Sequence, residues 1–313
     1  MNILFTSSGR RVELLKLARK TLSDNGISGS VIAADADSFA PTFKFCDASA
    51  VVPKISSENY IGELLDVCKR FKVDILIPTL DPELIPISRN LKKFEELGVL
   101  VNIPAAEVVN ICRDKFNTQK FFETNGIKAP KLISADSNPE TVQYPAFIKP
   151  FDGSSSVNSF RINCAKEFDF FRTYIKNPII QEAIDGDEFT VDAFCDFSAN
   201  PITIVPRRRI AVRSGEIQKG RVEKDREIIS AAAHLLSKLR PFGQTTIQCI
   251  RNGRGVFFFE INARFGGGAP MSITAGANSI LSLIKLKRGE RLSYNEDWRD
   301  AVTFARFDDS VAL

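Results

Sequence analysis

The first third of the chain alternates between short apolar runs and stretches in which apolar residues recur at helical spacing. Short apolar runs are typical of buried strands, and a spacing of three or four residues is typical of amphipathic helices. The pattern predicts strands at Asn2–Thr6, Gly29–Ala34, Ile75–Pro78 and Gly98–Asn102, and helices at Val12–Leu22, Asn59–Phe71 and about Glu83–Leu97. This order predicts a parallel sheet with right-handed crossovers, which is a Rossmann-like α/β domain.

Three loops follow the predicted strands of this sheet, at Ser7–Arg11, Asp35–Asp37 and Thr79–Glu83. Open parallel sheets bind their ligands at the carboxyl ends of the strands, so all three loops are candidate ligand sites. The first loop has a single glycine and does not match GxGxxG. It is therefore either an anion or substrate site or a tight turn that carries exposed arginines.

The pattern changes near Ala105–Arg113, where the second part of the chain begins. Strands now follow one another, then a helix, then a hairpin across Asn252-Gly253, a strong turn signal. The predicted strands are Pro145–Lys149, Ile179–Glu182, Glu188–Phe197, Ile202–Pro206, Thr245–Arg251 and Gly255–Asn262, and the helices are Phe116–Asn125 and Asp225–Leu239. This order predicts α+β. We expect domains at 1–112 and 113–290, with a small lid subdomain in 113–182 and an extension at 291–313 packed on the core.

Composition narrows the functional class. The chain has 313 residues and a net charge of only +4, which is too small an excess to indicate a nucleic-acid partner. Its six cysteines are scattered without zinc spacing, which favours a reducing compartment. The start lacks the pattern of a signal peptide, and no apolar run reaches membrane-spanning length. We expect a soluble, cytoplasmic protein without a membrane partner.

Two segments carry candidate phosphate and metal chemistry. Lys149 ends a predicted strand just ahead of the small, flexible loop Gly153-Ser154-Ser155-Ser156, where amides and hydroxyls can surround phosphate oxygens. Glu260 and Asn262 are two residues apart on a strand, so they share a face and offer hard oxygen ligands suited to Mg²⁺. Arg264 continues on that face and can hold a transferred phosphate or a carboxylate.

Two further segments complete the set. Gln248, on the other strand of the hairpin, could meet Glu260 across the pair and add a third metal oxygen. The run Ile179–Asp192 leads from an apolar strand through an acidic turn into an alternating strand. Such a connection can bind a nucleotide base through its backbone and a ribose through a carboxylate. Taken alone, this run is better explained as an acidic surface turn.

These segments, in this order, resemble the ATP-grasp superfamily over about Ala105 to Lys287. The nearest likeness is to the ATP-binding halves of the carbamoyl-phosphate synthase large subunit and to its short stand-alone relatives. The resemblance implies phosphate contacts by Lys115 and Lys149, a mobile loop at Gly153, Ser154, Ser155 and Ser156, adenine contacts at Glu182 and Ile184, and a ribose contact at Glu188. It also implies a metal set of Gln248, Glu260 and Asn262, with Arg264 steadying an acyl phosphate.

The basic segment Pro206–Glu216 has three interpretations. In the first, one of its four arginines approaches the γ-phosphate or substrate, with Arg208 and Arg213 as the named candidates and the choice among the four left open. In the second the segment is a solvated basic loop, and in the third it is a nucleic-acid patch. The last lacks an aromatic platform. The only histidine, His234, lies within a helical pattern and is expected to be structural.

The resemblance implies an ATP-dependent ligase that uses Mg²⁺ or Mn²⁺ to activate a carboxylate as an acyl phosphate for attack by an amine. The expected partners are small-molecule carboxylate and amine substrates, and a homodimer is a fair expectation for such an enzyme. Two alternatives stay open. One is carboxyphosphate or carbamate chemistry, and the other is an ATP-binding protein without turnover.

Overall fold

The computed structural model describes residues 1–151, 157–213 and 215–312 of the chain. Its N-terminal part is a parallel sheet in the order β3-β2-β1-β4-β5. The strands are β1 Ile3–Thr6, β2 Val31–Asp35, β3 Ala48–Val51, β4 Ile75–Pro78 and β5 Leu100–Val101. The helices are α1 Val12–Asp24, α2 Tyr60–Arg70, α3 Asp81–Ser88 and α4 Leu91–Glu96. The predicted α/β arrangement is therefore confirmed.

Alternation along the strands divides the core of this sheet into two layers. Ile3 and Phe5 of β1 pack on one face with α1, and Leu4 packs on the other with α2. Both faces are thus covered, as parallel sheets require. The helix predicted at Glu83–Leu97 is instead two helices. The side-chain amide of Asn90 donates to the carbonyl of Pro86, so a side chain takes the place of the helical backbone bond.

Two antiparallel sheets follow. Helices α5 Ala106–Arg113 and α6 Lys115–Thr124 lead into a small sheet of order β6-β9-β7-β8. Its elements are β6 Leu132–Ile133, β7 Ala146–Pro150, β8 Phe160–Ile162, α7 Ala165–Tyr174 and β9 Pro178–Glu182. A separate apolar cluster, which includes Ile148 and Phe168, fills the space between this sheet and α7.

The large sheet has the order β14-β13-β10-β11-β12-β15. Its strands are β10 Asp187–Cys195, β11 Pro201–Arg213, β12 Glu216–Val222, β13 Gly243–Asn252, β14 Gly255–Asn262 and β15 Thr303–Ala305. Helix α8 Arg226–Leu239 packs on one face of this sheet, with Asp225 capping its N-terminus. The short helices are α9 Ala269–Ala275 and α10 Ser279–Lys287.

The two halves of the chain share a core. Ile273 of α9 and Ile280 of α10 belong to the same apolar cluster as Ile3 and Phe5 of the parallel sheet. The end of the large-sheet region therefore packs directly on the N-terminal sheet, which brings the loops after β1 and β4 towards the end of β14. Among the described residues, no helix is long and apolar enough to cross a membrane.

Candidate active site

A cleft of about 340 Å³ lies between the small sheet and the large sheet. This volume is within the range of pockets that hold small-molecule ligands and cofactors. The residues singled out from the sequence that line it are Lys115, Lys149, Glu182, Ile184, Glu188, Gln248 and Glu260. The candidate loop at Gly153, Ser154, Ser155 and Ser156 lies outside the described residues.

The strand register of the large sheet brings the candidate metal ligands Gln248 and Glu260 side by side on one face. Gln248 is opposite Glu260 on β14 and opposite Thr190 on β10, as the interpretation of the hairpin predicted. The register shifts after Gln248, so that Cys249 faces Phe258 and Phe259 is the extra residue of a bulge. A bulge re-aims neighbouring side chains, and both Phe259 and Glu260 line the cleft.

Gln248, Glu260 and Asn262 form the candidate metal set. The Asn262 amide donates to Glu260 Oε1 at 2.9 Å, which holds both side chains on the same side of β14. Among the described residues, no group of three or more His, Cys, Asp or Glu side chains is gathered for a metal. One carboxylate with two amide oxygens fits Mg²⁺, which usually binds few protein ligands and shares the phosphates of a nucleotide.

Lys149 is the most deeply buried cation of the cleft, with 7% of its surface exposed. The pKa of Lys149 is lowered to about 8, mainly by burial; the Glu260 carboxylate opposes this shift and the Lys115 charge adds to it. Its Nζ lies 5.5 Å from the centre of the Phe259 ring. Lys115 is the first residue of α6, and its Nζ donates to the Phe151 carbonyl at 3.2 Å. The two lysines thus approach the cleft from different elements.

The connection from β9 to β10 forms another wall of the cleft. Glu182 Oε1 accepts from the Lys131 backbone N–H at 3.1 Å, and Ile184 is almost fully buried. Glu188, at the start of β10, forms an ion pair with Arg209 at 3.0 Å. Burial raises the pKa of Glu188, and the Arg209 charge counteracts that effect.

The basic segment is a strand and not a loop, so its arginines lie on different faces of the sheet. Residues on a strand alternate between faces, and Arg209 lines the cleft while Arg208 pairs with Asp187 on the other face. Arg213 lies past a register shift and pairs with Asp308 in solvent. Neither Arg208 nor Arg213 lines the cleft. If the segment after Pro206 is taken as a strand paired with β10, the alternation of side chains between faces places Arg209 on the cleft face.

Arg264 lies where the two halves of the chain meet. Its guanidinium forms an ion pair with Asp81 at the start of α3, and it also donates to the Phe265 carbonyl at 2.9 Å. Arg11, from the loop after β1, is 3.7 Å from Glu216 of β12. Burial lowers the pKa of Arg11, and the Arg264 charge lowers it further. The loops after β1 and β4 therefore both reach the surroundings of Arg264.

Other polar groups of the loops after β1 and β2 are hydrogen-bonded within the chain. The Ser8 hydroxyl is buried 2.7 Å from the Thr42 hydroxyl. Asp35 Oδ2 accepts from the Gly9 backbone N–H at 2.7 Å. A carboxylate of the chain thus binds the Gly9 amide that an anion would contact, which favours a tight turn at this loop.

Comparison with known proteins agrees with this geometry. Residues 3–102 match the model of the PylC-like N-terminal domain, and residues 112–268 match that of the ATP-grasp domain. The chain is 25% identical over 186 residues to a D-alanine–D-alanine ligase of Fusobacterium nucleatum, covering 56% of this chain and 62% of that protein. A second such ligase, from a Marinomonas species, is 26% identical over 179 residues, or 50% of this chain and 56% of the relative.

The chain therefore spans about three fifths of the length of these curated relatives. Among solved structures, biotin carboxylase from Campylobacter jejuni in complex with β,γ-ATP is similar, with a TM-score of 0.75 and 15% identity. That similarity covers 96% of this chain and 74% of the other. At this identity the likeness concerns the fold.

Proposed function

This chain belongs to the ATP-grasp family, and we propose that it uses ATP and Mg²⁺ to activate a carboxylate as an acyl phosphate for attack by an amine. The observation that carries the proposal is the convergence of cations and oxygen ligands on one cleft. Lys115 and Lys149 approach it from the small-sheet side, and Gln248 and Glu260 from the large sheet. D-alanine–D-alanine ligases, which the chain resembles in sequence, are named for joining two amino acids.

The residues divide into a nucleotide end and a reacting end. We expect Glu182 and Ile184 to contact adenine, Glu188 to bind the ribose, and Lys115 and Lys149 to hold the phosphates. Arg209 lies beside Glu188 and adds a further cation for phosphate oxygens. The loop at residues 153–156 would then cover the phosphates and exclude water, which protects a reactive intermediate.

At the reacting end, Gln248, Glu260 and Asn262 would hold Mg²⁺, which neutralises phosphate charge when bound. A substrate carboxylate oxygen attacks the γ-phosphorus, and ADP leaves. Arg264 stabilises the resulting acyl phosphate through its guanidinium. The amine nitrogen then attacks the acyl carbon and loses a proton, and the carbon–oxygen bond to phosphate breaks to release inorganic phosphate.

The test measures ADP and phosphate release by the purified chain with panels of carboxylates and amines. We expect release to require a carboxylate, and hydroxylamine to trap the acyl phosphate as a hydroxamate. Glu260→Ala should abolish turnover, and full activity in that variant would overturn the metal assignment. Release stimulated by bicarbonate alone would favour carboxyphosphate chemistry, and ATP binding without release under any mixture would favour a non-catalytic protein.

We also propose the division into domains at 1–112 and 113–290 with an extension at 291–313. The family matches at 3–102 and 112–268 support the first boundary, and the pairing of β15 with β12 supports an extension packed on the core. A cytoplasmic location, small-molecule substrates without a nucleic-acid partner, and a homodimer stay predictions. Size-exclusion chromatography with light scattering tests the last.

A further inference from the structure

A single buried hydroxyl holds the backbone on both sides of Phe265. Thr246 Oγ1 accepts from the Gly266 N–H at 2.9 Å and lies 2.9 Å from the Arg264 carbonyl, to which it donates. A hydroxyl has one proton and two lone pairs, so one side chain satisfies both groups. Thr246 is opposite Asn262 in the sheet, directly before the turn that these contacts fix.

The side chains beneath Thr246 form a buried polar network. Asp192 and Arg207 are an ion pair with contacts of 2.7 Å and 3.3 Å, and each side chain is at most 3% exposed. The Ser272 hydroxyl of α9 donates to Asp192 at 2.6 Å. Buried charges are costly unless they are paired and hydrogen-bonded, and this pair is both. Asp192 Oδ1 lies 3.4 Å from Thr246 Oγ1, so the network supports Thr246 between the sheet and α9.

The glycine loop 266–268 rests directly on these side chains. A methyl group added at Gly266 would come within 2.9 Å of Thr246 Cγ2, and one at Gly268 within 2.4 Å of Arg207 Nη1. Side chains at these positions would push the loop off its support. The loop that follows Arg264 is thus held by contacts from below, independently of the Asp81 ion pair on the guanidinium.

We infer that Thr246 is a positioning residue for Arg264, and that the Asp192–Arg207 pair supports it. This inference rests on the proposed function in one respect, namely that Arg264 steadies the acyl phosphate. Thr246 itself has its hydroxyl engaged by the chain, so it acts through the Arg264 backbone. A group held to within a fraction of an ångström by supporting residues is what efficient catalysis requires.

The chain offers a matched control for the test. Thr246→Val removes the hydroxyl at nearly constant shape, and Thr246→Ser keeps it. Thr245 is the adjacent residue, is fully buried, and its hydroxyl has no hydrogen-bond partner among the described residues. Thr245→Val therefore removes a buried hydroxyl from the same strand without removing a bond to the loop.

The first readout is amide hydrogen exchange at Gly266, followed by NMR in the full chain. We expect exchange about tenfold faster in Thr246→Val, and within about twofold of wild type in Thr246→Ser and Thr245→Val. This readout does not depend on any activity. Unchanged exchange in Thr246→Val would overturn the inference, even if the proposed ligase activity were established.

The second readout is kinetic. We expect Thr246→Val to lower kcat about thirtyfold with the KM for MgATP unchanged, because a misplaced group costs rate more than nucleotide binding. Thr246→Ser should restore kcat, and Thr245→Val should match wild type. An equal loss in Thr245→Val would indicate general loosening of the strand and would overturn the positioning role.

Gly266→Ala provides a second variant, should Thr246→Val not fold. Its methyl displaces the loop from Thr246 while leaving the hydroxyl in place. We again expect faster exchange of the residue-266 amide and a lower kcat with the KM for MgATP unchanged. If wild type forms no acyl phosphate with any carboxylate, the proposed function fails. The exchange measurements then still decide whether Thr246 fixes the loop.

Discussion

Arg264 and Asp81 form a buried ion pair across the two halves of the molecule. Asp81 is the first residue of α3 in the N-terminal sheet region, and Arg264 follows the strand that carries Glu260 and Asn262. Only 7% of the Asp81 side chain and 13% of the Arg264 side chain are exposed. The pair therefore anchors the guanidinium that we assign to the acyl phosphate to a residue outside the ATP-grasp region.

Breaking this pair should destabilise the protein. Asp81→Asn leaves a buried guanidinium without its counter-charge, and we expect the free energy of unfolding to fall by about 3 kcal/mol. Urea unfolding followed by circular dichroism measures the change. Asp308→Asn is the matched control, because its pair with Arg213 is largely exposed. Equal midpoints for the two variants would show that the Asp81 pair adds nothing to stability.

Two adjacent arginines on β11 should differ sharply in their effect on ATP use. Arg209 lines the cleft, and Arg208 lies on the opposite face. We expect Arg209→Met to lower kcat/KM for ATP about thirtyfold, since a hydrogen bond to a charged group contributes about 2 kcal/mol. Arg208→Met should stay within about twofold of wild type. The reverse ranking would return the phosphate contact to Arg208.

Much of this site could be predicted from the local sequence because side chains alternate between the two faces of a strand. The two-residue spacing of Glu260 and Asn262 predicts their shared face, and the structure confirms it. Gln248 does face Glu260, but only because the bulge at Phe259 shifts the register, which the position of the turn does not reveal. The extent of β11 was missed because Pro206 suggests the end of a strand. That strand continues because both neighbours pair with it, a tertiary effect that local sequence does not reveal.

Contacts between distant segments could not be predicted from the sequence, for a different reason. Asp81 and Arg264 are 183 residues apart, and neither lies in a pattern that indicates the other. The same holds for Thr246 and the glycine loop, whose contact depends on how β13 packs beneath the turn after β14. That the loops after β1 and β4 lie at one edge of the sheet could be predicted, because the topology of parallel sheets fixes where strand ends lie.

The charge opposite Glu260 should set the affinity for the metal. Gln248→Glu places a second carboxylate across the strand pair, and added ligand charge strengthens the binding of hard cations. We expect the Mg²⁺ concentration for half-maximal turnover to fall about tenfold in this variant and to rise in Gln248→Ala. Gln218→Glu on β12, which does not line the cleft, should leave it unchanged. No shift in either Gln248 variant would remove Gln248 from the metal set.

The lowered pKa of Lys149 should appear in the pH dependence of nucleotide binding. Because that pKa is about 8, well below the usual 10.5, Lys149 loses its charge as pH rises through about 8. We expect the Kd for MgADP to rise up to tenfold per pH unit above that value, because only the protonated lysine attracts phosphate. Bound phosphate favours the charged form, so the pKa of Lys149 in the complex should lie higher.

Calorimetry between about pH 6.5 and 9.5 measures the Kd for MgADP, and its pH dependence gives the pKa of Lys149 in the free protein and in the complex. The control is Lys149→Arg, which stays charged throughout this range and should show a flat profile. A fall in affinity of the same size in Lys149→Arg would assign the titration to another group.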